Sequence, residues 1–322
     1  MRTLVGALGA LLLVPAVAAA QDPAAPPTDA QAPPPPPAGT MKLFLEDVHH
    51  LGDKRIALTG DTWTVRGKLK PAVAGQRVTV RLFRGAEKIG SNEVAVDEQG
   101  AFRARFEVGS AGAVRVKAVH EATPELADVE GGPKRVKVMR PRVGGGGALV
   151  ELLQRGLKRL HYAVPRSGRY DAATGRAVLA WRKVTRNART TYASAEVLRG
   201  VLAGKGAFRV RHPRDGRHVE ADLSRQVLAL IDGDKVRRIY HVSSGKPSTP
   251  TVLGRFRVYR KSPGTNSHGM VHSSYFIGGY AIHGYASVPP YAASHGCLRA
   301  PIPNAWSIYN WVSMGDVVWV YP

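Results

Sequence analysis

Hydrophobic and polar residues alternate along several short segments between residues 41 and 140. An alternation with a period of two is typical of a strand with one buried and one exposed face. Turn residues, such as those at 97–100, separate the segments. The clearest alternating segments are 78–83, 101–106, 114–119 and 136–138. Several short strands at regular spacing predict a small β-sandwich over residues 41–140.

A helical period replaces this alternation between residues 148 and 205. Leucines recur at every third or fourth position and therefore share one helix face, namely Leu149, Leu152, Leu153, Leu157 and Leu160. A second apolar set at 177–181 predicts another helix, which Asp171 caps with Thr174 in the first turn. We therefore expect a small helical module over 148–205.

The alternation returns from residue 206 to residue 322. Residues 226–242 predict a β-hairpin that turns at Gly233. A short helix is predicted over 304–311 and a last strand over 317–321. We expect the tryptophans of this helix to pack in the core, namely Trp306 and Trp311. The C-terminal domain, 206–322, is thus predicted to be mostly β with one short helix.

The N-terminus has the pattern of a secretory signal. Arg2 precedes an apolar stretch at 4–17, and three alanines at 18–20 form a small-residue cleavage site. The alternative is an uncleaved anchor, but the stretch is short for a membrane span. We expect residues 1–20 to be a signal peptide, the mature chain to have no transmembrane span, and the protein to be exported to the cell wall, periplasm or extracellular surface.

Two linkers are predicted between the folded parts. Residues 21–40 are rich in proline and alanine, with five consecutive prolines at 33–37, so they should form an extended spacer. Residues 141–147 form a Gly-rich linker, in which the glycines at 144–147 predict a flexible joint.

The charge of the chain narrows the choice of partners. The formal net charge is +22 and the isoelectric point is about 10.5. Such a charge favours anionic partners, either nucleic acid, acidic lipid or an anionic wall polymer. Export argues against nucleic acid and favours anionic wall polymers. The helical module has 12 basic and 3 acidic residues, which predicts electrostatic attachment to such a polymer.

Cys297 is the only cysteine in the chain, so it has no intramolecular disulfide partner. It is either a free reactive thiol or half of an intermolecular bridge. A thiol needs a base to become a nucleophile, and histidine suits that role. His295 lies only two residues away, a spacing at which side chains of an extended strand rarely meet. His283 ends a separate predicted strand, so we expect His283 to be the base and later the acid, with His295 orienting groups or lining the pocket.

Other residues complete the predicted site. The backbone amides of Gly296 and Cys297 are expected to face a developing oxyanion, and Ser294 to supply a supporting hydrogen bond. Arg299 is expected to hold a substrate carboxylate or to favour the thiolate. The remaining candidates for substrate binding are Gly284, Met270, Tyr275 and Tyr280.

A zinc site is the alternative to this cysteine chemistry, with His268, His272, His283, His295 and Cys297 as the possible ligands. The spacing of His268 and His272 suits two ligands on a helix. Glycine and serine residues around them indicate a loop instead, so we expect no metal and no other cofactor.

The motif Ile282-His283-Gly284, followed by Ser294-His295-Gly296-Cys297-Leu298-Arg299, resembles the signature of the L,D-transpeptidase (YkuD) catalytic domain. The resemblance covers about 206–322. It implies that the thiolate of Cys297 attacks the third residue of a peptidoglycan tetrapeptide stem, releases D-alanine and forms a thioester. An amine of a neighbouring stem then attacks, which gives a 3→3 cross-link. The resemblance also implies acylation by carbapenems.

The other two regions have weaker resemblances. Residues 41–140 are similar to bacterial immunoglobulin-like (Ig-like) modules, which implies a spacer or adhesion role. Residues 148–205 resemble the three-helix peptidoglycan-binding module of wall enzymes, although Trp181-Arg182 departs from its usual pattern. Peptidoglycan stem peptides and glycan are therefore the expected partners.

Three alternatives stay open. Water as acceptor would make the protein an L,D-carboxypeptidase, and a protein amine would attach a protein to the wall. A wall-binding structural protein with a degenerate catalytic domain is a different class, against which the His283 and Cys297 pair argues.

Overall fold

The computed structural model describes residues 34–322. The predicted signal peptide and most of the predicted spacer lie outside the described residues. The N-terminal region contains nine strands, β1 (Thr40–Glu46), β2 (His49–Leu51), β3 (Lys54–Leu58), β4 (Thr62–Lys70), β5 (Arg77–Arg84), β6 (Glu87–Ala95), β7 (Ala101–Glu107), β8 (Gly112–His120) and β9 (Val129–Met139). Three helices follow, α1 (Ala148–Arg159), α2 (Ala172–Val184) and α3 (Ala195–Leu202).

The C-terminal domain begins after a short 3₁₀ helix at Pro213–Asp215. Its first strands are β10 (Arg217–Asp222), β11 (Val227–Asp232), β12 (Lys235–His241), β13 (Gly254–Arg257) and β14 (Arg260–Thr265). The remaining elements are β15 (Val271–Ile277), β16 (Tyr280–Tyr285), β17 (Leu298–Pro301), α4 (Ile302–Trp311) and β18 (Val317–Tyr321).

The N-terminal strands form two sheets around one core. One sheet has the order β1-β4-β7 and the other the order β2-β3-β9-β8-β5-β6. Strand β7 shows the predicted alternation, since Phe102, Ala104 and Phe106 are buried and the residues between them are exposed. The prediction of a β-rich N-terminal region is confirmed.

The helices follow the predicted leucine face and cap. Leu149, Leu153 and Leu157 of α1 are buried together, because they lie on one side of the helix. Asp171 caps α2, with its carboxylate accepting a hydrogen bond of 2.7 Å from the N–H of Thr174.

One hydrophobic core joins the helices to both β regions. Leu153 and Val178 pack in the same buried cluster as Val227 and Ile239 of β11 and β12, and as Ile56 of β3. The predicted flexible joint at 144–147 is held in place. Gly146 bridges to Arg169, and the carbonyl oxygen of Gly145 accepts a hydrogen bond from the N–H of Tyr170. The helical module therefore braces the C-terminal domain directly.

Two sheets build the C-terminal domain. The first has the order β12-β11-β10-β18-β13 and the second the order β14-β15-β16-β17. Their apolar faces meet in a core that contains Ile282, Leu298 and Val318. The prediction of a mostly β domain with a short helix is confirmed. Within residues 34–322, no helix is both long and apolar enough to cross a membrane.

The prediction that both tryptophans of α4 are core residues is wrong for Trp306. Its side chain is 57% exposed, whereas Ala305 and Ile308 form the buried stripe of the helix. Trp311 is half-buried and packs against the core. A helix that covers only one side of a sheet buries a narrow stripe, so Trp306 at the neighbouring position faces outward.

Candidate active site

Strands β16 and β17 bring the two histidine motifs together. They pair in parallel, with Ile282 opposite Leu298 and His283 opposite Arg299. Ile282 and Leu298 point into the core. Because side chains alternate along a strand, His283 and Arg299 lie on the other face, and Cys297 at the start of β17 belongs to that same face.

Cys297 is a free, partly exposed thiol at this point. Its Sγ lies 3.6 Å from the carbonyl oxygen of Gly279, to which the thiol donates. Burial raises the pKa of the thiol, while the backbone N–H of Ala281 and the charge of Arg299 act to lower it. The resting group is therefore a protonated thiol that needs a base.

His283 is a buried imidazole fixed in one orientation. Its Nδ1 donates to the carbonyl oxygen of Gly284 at 2.9 Å, because a carbonyl can only accept. The lone pair is therefore on Nε2. Burial lowers the pKa of His283 to about 4, and the positive charge of Arg299 adds to that effect. Among residues 34–322 no hydrogen bond joins His283 to Cys297 directly, since the thiol hydrogen is directed at Gly279.

Tyr285 is a site residue that the sequence reasoning missed. Its ring stands edge-on to His283, with the ring centroids 5.7 Å apart at 90°. The guanidinium of Arg299 lies over the same ring at 4.0 Å. The period of two along β16 puts Tyr285 on the face of His283, so the strand pattern contained the signal.

Ser294 shapes the loop that presents the cysteine. Its buried hydroxyl donates to the carbonyl oxygen of Cys297 at 2.6 Å and accepts from the N–H of Gly296 at 3.0 Å. The N–H of Gly296 is thus already engaged, in contrast to the expectation that it faces an oxyanion. Gly296 has φ +115°, and a Cβ there would lie 1.9 Å from Cε1 of Tyr280. Only glycine fits this turn.

The segment after β12 holds the same loop from the other side. Thr249 donates to the carbonyl oxygen of Ser294 at 3.1 Å, and Thr251 donates to that of Gly296 at 2.7 Å. The hydroxyl of Thr251 in turn accepts from the N–H of Gly245 at 2.9 Å. These hydrogen bonds fix the carbonyl groups of Ser294 and Gly296 in the loop that presents Cys297.

The helical module also reaches this loop. Arg189, which follows α2, donates to the carbonyl oxygens of Pro290 at 3.0 Å and Ser224 at 2.8 Å. From the catalytic domain, the hydroxyl of Ser243 donates to the carbonyl oxygen of Tyr291 at 2.6 Å. The segment between β16 and the cysteine is therefore anchored by two regions of the chain.

The predicted substrate-binding residues occupy different places. Tyr280 is half-buried and packs on Gly296. Tyr275 is buried beneath the guanidinium of Arg260 at 4.0 Å, so it forms a wall and offers little open surface. Gly284 packs against α4, where a Cβ would meet that of Ala305 at 2.6 Å.

The other predicted residues lie at the edges. Met270 is half-buried in the loop between β14 and β15, next to Gly269, where a Cβ would lie 3.6 Å from the ring of Tyr285. His295 is exposed, in the loop that precedes Cys297. Arg299 is half-buried, and its Nη1 also donates to the carbonyl oxygen of Ala293 at 3.4 Å.

His272, a candidate metal ligand in the sequence, lies against α4. His272 accepts a hydrogen bond at Nδ1 from the N–H of Gly264 at 3.1 Å and packs against Trp306. Among residues 34–322, no three His, Cys, Asp or Glu side chains cluster in a way that would hold a metal ion.

Comparisons with known proteins point to one family. Residues 216–320 match the sequence profile of the L,D-transpeptidase catalytic domain, YkuD. An L,D-transpeptidase structure from Xylanimonas cellulosilytica is 32% identical, with 56% of this chain and 97% of that chain covered and a TM-score of 0.51. No curated protein sequence matches this chain.

Two further structures are more distant. The catalytic domain of an E. faecium L,D-transpeptidase acylated by ertapenem is 28% identical, covering 33% of this chain and 97% of that chain, with a TM-score of 0.28. An L,D-transpeptidase from Mycobacterium smegmatis is 14% identical, covering 87% of this chain and 100% of that chain, with a TM-score of 0.31.

Proposed function

This chain belongs to the L,D-transpeptidase family, and on that premise we propose that it is an exported enzyme that cross-links peptidoglycan stem peptides through an acyl-enzyme on Cys297. The observation that supports this most is the placement of the only cysteine on the same sheet face as a neutral, oriented histidine. The donor is a tetrapeptide stem that ends in D-alanine, and the acceptor is an amine of a second stem.

The first half of the reaction forms the thioester. The thiol of Cys297 gives up its hydrogen bond to Gly279 and transfers its proton to Nε2 of His283. The sulfur then attacks the carbonyl carbon of the third stem residue. The C–S bond forms, the C–N bond to D-alanine breaks, and His283 returns the proton to the leaving amine.

The second half transfers the acyl group. The acceptor amine attacks the thioester carbon, so a C–N bond forms and the C–S bond breaks. His283 takes the proton of the amine, and the sulfur of Cys297 receives it. No redox change and no cofactor is needed.

The developing oxyanion needs donors near the sulfur. The N–H of Gly296 donates to Ser294, so we assign this role to the backbone N–H of Cys297 itself, with that of Ala281 beside the sulfur. The charge of Arg299 acts to lower the pKa of both His283 and Cys297. Its guanidinium also holds a substrate carboxylate on the same face. His295, Met270 and Tyr280 line the opening around it.

The remaining regions fit attachment to the wall. We assign residues 148–205 as a peptidoglycan-binding-like module and 41–140 as an Ig-like spacer, behind a signal peptide and an extended linker. The net charge of +22 adds attraction to anionic wall polymers. The place of action is the cell wall, on the outer side of the cytoplasmic membrane.

Incubation of the mature protein with a stem tetrapeptide tests this function. Release of D-alanine with formation of a tripeptide–tetrapeptide dimer is the expected result, and Cys297→Ser should give neither product. Release of D-alanine with tripeptide alone would instead indicate the carboxypeptidase, with water as acceptor. A wild-type protein that binds purified sacculi but releases no D-alanine would overturn the enzymatic proposal and favour a structural wall-binding protein.

A further inference from the structure

Two cavities lie between α2 and the catalytic domain, and both are lined by Arg176 and Pro303. One has a volume of about 470 Å³ and the other of about 530 Å³. The second also reaches Tyr285, whose ring contacts the catalytic His283. The cavities share these two lining residues and are therefore neighbours. We refer to the two cavities together as the α2 groove.

The α2 groove is positively charged. The first cavity is lined by Lys158, Arg176, Arg237 and Arg238, and none of its lining residues is acidic. Arg237 forms an ion pair with Asp232 at 2.6 Å. Within residues 34–322 the other three cations form no ion pair with a carboxylate. An anionic ligand would therefore meet unneutralised charge here.

Among the four cations of the first cavity, Arg176 has a buried donor that no acceptor in residues 34–322 satisfies. Its Nε is buried and has no hydrogen-bond partner within the described part of the chain. A buried donor without a partner destabilises the site unless something accepts from it. Burial also lowers the pKa of Arg176, and only Asp171 acts against that effect. A planar guanidinium is suited to a carboxylate, which accepts two parallel hydrogen bonds.

We propose that the α2 groove is the subsite for the acceptor stem, and that Arg176 binds a carboxylate of this anionic peptide while its amine reaches the thioester. The proposal rests on the proposed function. The acceptor amine must give its proton to His283, and Tyr285, which lines the groove, lies on the same strand face as His283. The helical module thus selects the second substrate.

The test compares two acceptors with one donor. Both acceptors are the same stem tripeptide, which ends in a diamino acid. One has free carboxylates, and in the other these carboxyl groups are converted to carboxamides. Because a tripeptide lacks the terminal D-alanine, it cannot act as donor. For wild type we expect the carboxylate acceptor to have a KM about tenfold lower than the carboxamide, in line with a charge-assisted hydrogen bond.

Arg176→Gln should remove this preference by raising the KM of the carboxylate acceptor, with little change for the carboxamide. Arg176→Lys keeps the charge but not the paired hydrogen bonds, and it should recover only part of the preference. Arg186→Gln, an exposed position in the same module, is the matched control and should behave as wild type. Equal KM values for both acceptors in wild type would overturn the proposal, whatever the stability of the variants.

Acylation by a carbapenem separates this proposal from the proposed function. Arg176→Gln should be acylated at the wild-type rate, because the groove is outside the donor site. If Arg176→Gln reduced transfer to the carboxylate and carboxamide acceptors equally, Arg176 would not bind the acceptor carboxylate. Failure of wild type itself to be acylated or to transfer would instead reject the proposed function, and the acceptor subsite with it.

Discussion

Arg299 lies directly opposite His283 in the parallel pair of β16 and β17. Its positive charge adds to burial in lowering the pKa of His283, and it opposes burial at the thiol of Cys297. Burial is the larger cause of the low pKa of His283, and this guanidinium adds to it while it also eases removal of the thiol proton. Tyr285 holds this guanidinium in place by lying beneath it at 4.0 Å.

The low pKa of His283 predicts an unusual pH dependence. A base works only while unprotonated, and with a pKa of about 4 His283 keeps its lone pair well below neutral pH. As pH is lowered from neutral, the rate of Cys297 acylation by a carbapenem should stay constant down to about pH 5. It should then fall as pH approaches 4. Stopped-flow acylation rates between pH 3.5 and 7.5 would measure this. A half-maximal rate near the ordinary histidine value of about 6.5 would contradict it.

Arg299→Gln is the matched variant for this pH profile. Without the charge the pKa of His283 should rise, so the acid limb should move to higher pH. The pKa of Cys297 should rise as well, which slows acylation. Arg257→Gln removes a guanidinium elsewhere in the same domain, where it donates to Gly315, and should leave the profile unchanged.

Gly296 has a backbone conformation that other residues rarely adopt. Gly296→Ala should slow acylation at least about tenfold, because it combines strain at φ +115° with a clash against Tyr280. The double variant Gly296→Ala/Tyr280→Ala should recover only the part caused by the clash. Gly264→Ala is the control, since it also has a positive φ but nothing lies within 4 Å of its Cβ. If Gly296→Ala and Gly264→Ala slowed acylation equally, the contact with Tyr280 would have no role.

Arg189 connects the helical module to the segment 286–293, so we predict that the module makes this segment more rigid. Arg189→Ala removes the donors to Pro290 and Ser224. Amide hydrogen exchange should become faster in residues 286–293, with acylation slowed by several-fold. Arg186→Ala, three residues earlier and exposed, should change neither. Unchanged exchange in Arg189→Ala would show that the loop is held by Ser243 and the threonines alone.

Lys183 of α2 is buried against the catalytic domain. Its Nζ donates to the carbonyl oxygens of Gln226 at 3.0 Å and Val242 at 2.8 Å, and it lies 3.2 Å from Nδ1 of His241. Burial lowers the pKa of Lys183 to about 6 from 10.5, and the charge of Arg189 adds to this. Between these two pH values the unfolded chain binds one more proton than the native state.

The stability of the native state should therefore rise with pH through this window. Relative to Lys183→Met, wild type should gain up to about 1.4 kcal/mol in free energy of unfolding per pH unit between pH 7 and 9.5. Urea unfolding at pH 7, 8.5 and 9.5 measures the difference. His241 stays neutral throughout, because burial lowers its pKa to about 3. Parallel pH dependence in the two proteins would mean that Lys183 is charged in the native state.

The sequence allowed the periodic elements to be predicted, because these depend on local patterns, whereas the catalytic roles of His283 and Cys297 stay a prediction. The strand alternation of β7 and the cap at Asp171 are examples. The parts that were missed depend on contacts between distant segments. Arg176 lines a cavity and Arg189 donates hydrogen bonds at the boundary between the helical module and the C-terminal domain, and Trp306 faces solvent because of how α4 lies on its sheet. Burial, which sets the pKa of His283, also depends on the tertiary fold.

The proposed function requires that Cys297 be a nucleophile activated by His283. The most direct measurement is the intact mass of the mature protein after incubation with a carbapenem, for wild type, Cys297→Ala and His283→Ala. As the chain has one cysteine, a thiol adduct has one possible position. Wild type should gain one drug mass, Cys297→Ala none, and His283→Ala the same mass far more slowly. An unmodified wild type, or an equal adduct on Cys297→Ala, would contradict the claim.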